Sequence, residues 1–261
     1  MNFAGMIAAS ERHESGFVFT VPQEWHQGRT AYGGLSAAAA LTAAMQVGGH
    51  ALPPLRSAVV SFVGPVYGVV DARARVLRRG KNATWIAAEL VREGEVVLTV
   101  TFVFMGPVES IVHLHDSPAP PGLVTPENAA RYKPHPLMPA FVANHFEASF
   151  ALARNEAPRP EIGWWVRLKD RAGIDPMVEV LLIGDCLPPG VMPLITRGTP
   201  VSSMTWQCNM LTAAPVTRDG WWLLRSTGDY AEDGCSSQTM RMWNADGAPV
   251  MAGMQAIALF G

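Results

Sequence analysis

Charge is scarce in this chain. Only 16% of its 261 residues are Asp, Glu, Lys or Arg, where globular proteins carry roughly a quarter. The 20 basic and 22 acidic residues leave a net charge of −2. No basic excess exists to neutralise phosphates, which excludes general nucleic-acid binding. Cysteine is scarce too. Cys186, Cys208 and Cys235 cannot pair off evenly, and none shows Cys-x-x-Cys metal spacing. A reduced, cytoplasmic protein without a metal centre is the simple expectation. A long hydrophobic run is missing. The longest, Leu35 to Val47, is broken by Ser36, Thr42 and Gln46 and falls short of the roughly 20 residues that a membrane span needs. Glu11, Arg12, His13 and Glu14 precede any long apolar run, which speaks against a secretory signal.

What is abundant is apolar material. Hydrophobic residues make up 49% of the chain, enough for one large core or two modest ones and too much for overall disorder. The 24 Gly and 21 Pro imply many turns and hence many strands.

The pattern along the chain repeats. Phe17 to Val21 alternates as a strand does. Gly33-Gly34 then opens an Ala-rich run to about Val47, which reads as a helix buried nearly all round. Four strand-like runs follow: Arg56 to Phe62, Asp71 to Arg78, Thr84 to Arg92 and Val96 to Met105, with turn signals between them. Pro107 to Pro139 lacks a strand pattern and reads as a linker, with one short helix after Thr125-Pro126-Glu127. Phe146 to Leu152 and Trp164 to Leu168 return to strand character. Asp175-Pro176 opens a second helix that stops before Pro188-Pro189-Gly190. Four more strands are expected at Val201 to Leu211, Trp221 to Thr227, Cys235 to Trp243 and Pro249 to Phe260. An order that occurs twice implies duplication. The expected layout is α+β: an N-terminal unit over 1–107, a linker over 108–140 and a C-terminal unit over 141–261. In each unit an antiparallel sheet wraps a central helix, and the two sheets join edge to edge.

This layout resembles the double hotdog fold of acyl-CoA thioesterase II and its relatives. Gly28-Arg29-Thr30-Ala31-Tyr32-Gly33-Gly34 is similar to the family's Arg-x-Phe-Gly-Gly lead into the central helix, with Tyr32 as the aromatic. The strand Arg56 to Phe62 through Gly64-Pro65, then Trp222-Leu223-Leu224, then Asp246-Gly247 through Gln255, resemble the family in the same order. The resemblance implies an acyl-CoA or acyl-carrier thioester as substrate and a place in fatty acid metabolism. It also implies a water held by an Asp, a Thr or Ser, and a Gln from the second half. The Gln matches Gln255, and Thr227 matches the Thr. In the strand Pro200 to Trp206, Ser203 takes the place of the Asp. A serine cannot serve as a carboxylate base near neutral pH.

The residues themselves leave alternatives open. Gln255 lies in an otherwise apolar strand; a buried amide needs its hydrogen bonds met, so it orients a water or ties strands together. Asp185 ends an apolar helix, where a carboxylate is unfavourable for the dipole. It meets a buried partner such as an arginine, or it supplies the carboxylate that Ser203 lacks. Gly33 and Gly34 offer free N–H groups to a thioester carbonyl, or simply let the helix pack closely. Tyr32 and Arg29 belong to the same substrate-side motif. Water attack needs no cofactor and no metal. The runner-up is an acyl or acyl-CoA binding protein without catalysis. A hotdog hydratase or dehydratase ranks last, because Cys186 to Gly190 supplies no His. Exposed sheet edges make a homodimer or larger homo-oligomer the expected state.

Overall fold

A computed structural model of the chain describes residues 1–133, 139–152, 157–196 and 198–260. The first half runs α1 (Phe3–Ala8), β1 (Glu11–His13), β2 (Gly16–Thr20), a small hairpin of β3 (His26–Gln27) and β4 (Thr30–Ala31), α2 (Gly33–Gly48), β5 (Leu55–Phe62), β6 (Val69–Arg79), β7 (Ala83–Arg92) and β8 (Glu95–Met105). The second half runs α3 (Ala140–His145), β9 (Phe146–Phe150), β10 (Glu161–Leu168), α4 (Pro176–Gly184), β11 (Val201–Met210), β12 (Trp222–Glu232), β13 (Cys235–Asn244) and β14 (Pro249–Leu259).

Twelve strands form one sheet in the order β1-β2-β6-β7-β8-β5-β11-β14-β13-β12-β10-β9. Read outward from the β5–β11 junction, the two halves trace the same path. β5 corresponds to β11, β6 to β12, β7 to β13 and β8 to β14, with β2 matching β10. The junction is antiparallel, with Thr205 opposite Ser61 and Asn209 opposite Ser57. Each half closes its inner edge on the other, which removes two exposed edges at once. This is the double hotdog arrangement expected from the repeat.

The helices follow from local chemistry. Asp175 caps α4, its carboxylate accepting from the Met177 and Val178 N–H groups, and Pro176 fills the first helical position. The chain leaves α4 at Asp185, and Pro188-Pro189 prevents any continuation. α2 is buried on nearly every side, from Gly34 through Leu41. Its alanines let the sheet approach closely.

Glu179, in the middle of α4, is buried. Its Oε1 accepts from Trp222 Nε1 at 2.9 Å, and its Oε2 pairs with Arg171 at 2.8 Å. Removing Arg171 strands a buried carboxylate. Arg171→Met is expected to destabilise the fold by at least about 2 kcal/mol in urea denaturation. Parental stability would show that solvent satisfies Glu179 instead.

The linker is not a free connection. Residues 117–133 run as a strap across the outer face of the second half, while 108–116 are exposed. Trp165 Nε1 donates to Val124 O at 2.7 Å and Trp243 Nε1 to Ser117 O at 2.8 Å. Ala129 of the strap packs on a separate apolar cluster of Ala151, Trp165, Trp221, Leu223 and Trp243. The short helix expected after Thr125-Pro126-Glu127 is a single turn: the Asn128 and Ala129 N–H groups both reach Thr125 O. One turn fixes several torsions for few bonds, and docking on the sheet continues as extended chain. Residues 134–138 of the expected linker lie outside the described residues. No helix among the described residues is long and apolar enough to cross a membrane.

Candidate active site

The start of α2 meets the end of α4. Tyr32, fully buried, donates its phenol O–H to the Leu182 carbonyl at 2.9 Å. The last carbonyls of a helix have no partner within it, so Tyr32 satisfies one from across the interface. A Cβ at Gly34 would lie 2.7 Å from that same carbonyl oxygen, and one at Gly33 would lie 2.4 Å from Asp185 Oδ2 and 2.9 Å from Phe62 Cε1. Glycine at both positions is therefore a matter of close approach.

Tyr32 occupies the N-cap of α2 but offers no side-chain acceptor. The negative group there is Asp185: its carboxyl stands against the start of α2, with Oδ2 2.4 Å from where a Gly33 Cβ would sit, and the Gly34 backbone favours its ionised form. The carboxyl that looked misplaced at the end of α4 thus stands at the start of α2, where a negative charge is favoured.

Gln255 points inward from β14. Its Nε2 donates to Asp185 Oδ1 at 2.8 Å and to Ser203 Oγ at 3.0 Å. Ser203 reaches it because β11 carries a bulge. Ser203 pairs with Ile257 and Trp206 with Gln255, and the register shifts between Ser203 and Thr205. One extra residue returns the inward face from even to odd positions. Burial pushes the Asp185 pKa up to about 7, against the lowering effect of the hydrogen bonds from Gln255 and Gly34. Gly33, Asp185 and Ser203 each keep some exposed surface, whereas Gln255 is buried behind them. A carboxyl near its midpoint at neutral pH, a hydroxyl and an amide thus converge beside a helix N-terminus, within reach of solvent. That set can hold a water and take its proton.

Four catalytic candidates came from the sequence, and the structure brings together three: Asp185, Ser203 and Gln255. Thr227 lies elsewhere. It pairs with Thr239 and Glu161 on the outward face of β12, while its neighbour Ser226 faces inward opposite Met240. The alternation of side chains along a strand decides this. The buried hydrogen-bond partner of Asp185 is the Gln255 amide, not an arginine. Tyr32, Gly33 and Gly34 all border the cluster. Arg29 stands exposed in the turn of the β3–β4 hairpin, three residues before Tyr32. Among other basic residues, Arg56 and Arg79 donate to the Met105 and Gly48 carbonyls, and Arg225 pairs with Glu161. Two residues were missed. Phe62, at the end of β5, lies against Gly33. Gln238 lies in β13 and donates to Gln255 Oε1 at 2.8 Å. Its signal was present: it is the one amide in the inward series Ser236, Gln238, Met240, Met242.

Comparison with known families matches the acyl-CoA thioesterase N-terminal domain to residues 21–105 and the acyl-CoA thioesterase C-terminal domain to residues 107–259. The chain belongs to the acyl-CoA thioesterase family. The two matched stretches of this acyl-CoA thioesterase family member meet where β8 ends and the linker begins. No curated protein matches it in sequence. Solved structures match its fold along the whole length. A conserved hotdog protein of unknown function from Alicyclobacillus acidocaldarius has a TM-score of 0.87 at 20% identity, covering 100% of this chain and 99% of that one. A Thermobifida fusca protein assigned provisionally to thioesterase II gives 0.84 at 19% identity, covering 100% and 98%. An acyl-CoA thioesterase II from Mycobacterium marinum gives 0.74 at 18% identity, covering 98% and 97%. Among the described residues no cluster of His, Cys, Asp and Glu is arranged to hold a metal ion.

Proposed function

We propose that this protein hydrolyses acyl-CoA thioesters with a water activated by Asp185. The observation that carries the reading is Gln255 Nε2, which donates to Asp185 Oδ1 at 2.8 Å and to Ser203 Oγ at 3.0 Å at once. Both amide hydrogens are engaged. Ser203 Oγ is therefore an acceptor toward Gln255, and its own proton is free to orient a water. The remaining carboxylate oxygen, Asp185 Oδ2, faces the space that Gly33 leaves by having no side chain. A water between Ser203 and Asp185 gives its proton to Asp185 as its oxygen attacks the thioester carbonyl carbon. The carbon–oxygen bond forms, the tetrahedral intermediate collapses, the carbon–sulfur bond breaks, and the departing thiolate recovers the proton from Asp185. The positive end of α2 lies beside this point and favours the developing oxyanion. Phe62 offers an apolar wall at the same opening.

The test is free-thiol release from a panel of short, medium and long acyl-CoAs. Turnover is expected, and Gln255→Ala and Ser203→Ala are each expected to lower kcat by about tenfold to a hundredfold, the range of positioning effects. Saturable acyl-CoA binding without any turnover would overturn the enzyme reading and leave a binding protein on a hotdog scaffold.

A further inference from the structure

The orientation of the Gln255 amide is not free. Gln238 Oε1 accepts a hydrogen bond from the Gly190 backbone N–H at 2.7 Å. A backbone N–H can only donate, so the end of Gln238 that faces Gly190 must be its oxygen. Its other end, Nε2, then faces Gln255 and donates to Oε1 at 2.8 Å. That leaves Gln255 Nε2 toward Asp185 and Ser203. The direction of each bond follows from one main-chain group at the far end.

That main-chain group is itself held in place. A Cβ at Gly190 would lie 2.5 Å from Gly228 N and 2.9 Å from Thr227 C, so its loop rests directly on β12. Gln238 sits between Gly228 and Gln255 on adjacent strands of the sheet, and both amides are buried. Amides buried at this depth pay heavily for a wrong orientation, because each then sets donor against donor or acceptor against acceptor.

We propose that Gln238 is a positioning residue of the thioesterase reaction: anchored on the Gly190 N–H, it locks the Gln255 amide so that a donor, and never the carbonyl oxygen, faces Asp185 and Ser203. The inference rests on the proposed function for its kinetic meaning, but the orientation itself belongs to the free protein. Without Gln238, the Gln255 amide can turn over and present Oε1 to the Asp185 carboxylate. The ionised carboxylate then loses a donor and faces a partial negative charge, so it becomes harder to form. The other titratable groups facing Asp185 are Tyr32 beside α2, Cys186 next in the chain and Cys208 on β11. Burial raises the pKa of all three far above neutrality, so none titrates together with it.

The experiment compares the parent with Gln238→Met, which keeps the volume, and Gln238→Glu, which keeps an acceptor for Gly190 but cannot donate when ionised. Two readouts are taken: the titration of Asp185 in the free protein by carboxyl-carbon NMR, and the pH profile of thiol release from an acyl-CoA. Both variants are expected to move the Asp185 titration upward by on the order of one pH unit. They are also expected to lower kcat by about tenfold or more with little change in KM. The acid limb of the profile should move with the titration. A variant that is less stable but shows the parental titration and the parental pH limb would overturn the proposal and reduce Gln238 to a strand tie. If the parent itself releases no thiol, the functional reading fails, while the titration arm still decides whether Gln238 sets the amide.

Discussion

An Asp185→Asn variant releases thiol from acyl-CoA at no more than about a thousandth of the parental rate, within the span of general-base effects, and yet is more stable than the parent above pH 7. Asparagine keeps the acceptor that Gln255 Nε2 uses at 2.8 Å, so the geometry persists and the basicity goes. The stability gain follows from burial. In the unfolded chain an aspartate titrates near 3.9; in the folded protein burial pushes Asp185 up to about 7. Between these values the folded state holds a proton that the unfolded state has released. Stability therefore falls as pH rises through this window, and the whole penalty is present above it. About three units correspond to at most about 4 kcal/mol, less for the solvent that reaches this residue. The variant escapes the penalty. Urea denaturation at pH 8.5 should favour it by up to that amount, and at pH 4 the difference should vanish. Burial holds His145 down to about 4, so acidification weakens both proteins alike there and the effect cancels in the comparison. Equal pH dependence in the two proteins would mean that folding does not raise the Asp185 pKa.

Gly33→Ala is expected to cut kcat by about a hundredfold. Within a helix the same substitution ordinarily stabilises by about 0.5–1 kcal/mol. Here the new Cβ would stand 2.4 Å from Asp185 Oδ2 and 2.9 Å from Phe62 Cε1. The carboxyl must swing away from the start of α2, giving up its place beside the helix N-terminus and its alignment with Ser203. Overpacking should also destabilise the fold by about 1–3 kcal/mol. A G33A enzyme with parental kcat and raised stability would show that Asp185 is not held against α2.

The architecture was legible because each element carries its own local signal. Asp175-Pro176 announces α4, Gly33-Gly34 announces α2, and period-two alternation marks the long strands of both halves. Their order alone exposed the duplication. The site was half legible. Gln255 stood out as a polar residue in an apolar strand, and Asp185 as a charge at the wrong helix end. Their relation was hidden because it is made across the fold: Gln255 and Asp185 are 70 residues apart, and Tyr32 and Leu182 are 150 apart. Ser203 was aligned with a carboxylate position, whereas the bulge after it brings its hydroxyl to Gln255 and leaves the carboxylate to Asp185. Parity places Thr227 outside the cluster, since one step along β12 separates it from the inward Ser226. The strap over residues 117–133 escaped notice because extended chain lying on a sheet has no periodicity of its own. Only the exposed-looking tryptophans beneath it, Trp165, Trp221 and Trp243, hinted at a cover.

The measurement that tests the central claim most directly is the pH profile of kcat/KM for thiol release from an acyl-CoA, recorded for the parent and for D185N. The parent should gain activity as pH rises through about 7, where Asp185 loses its proton, and then level off. D185N should show no such limb and only residual turnover. A parental profile that is flat across neutrality, or a D185N protein that keeps the parental rate and limb, would contradict the assignment of Asp185 as the base.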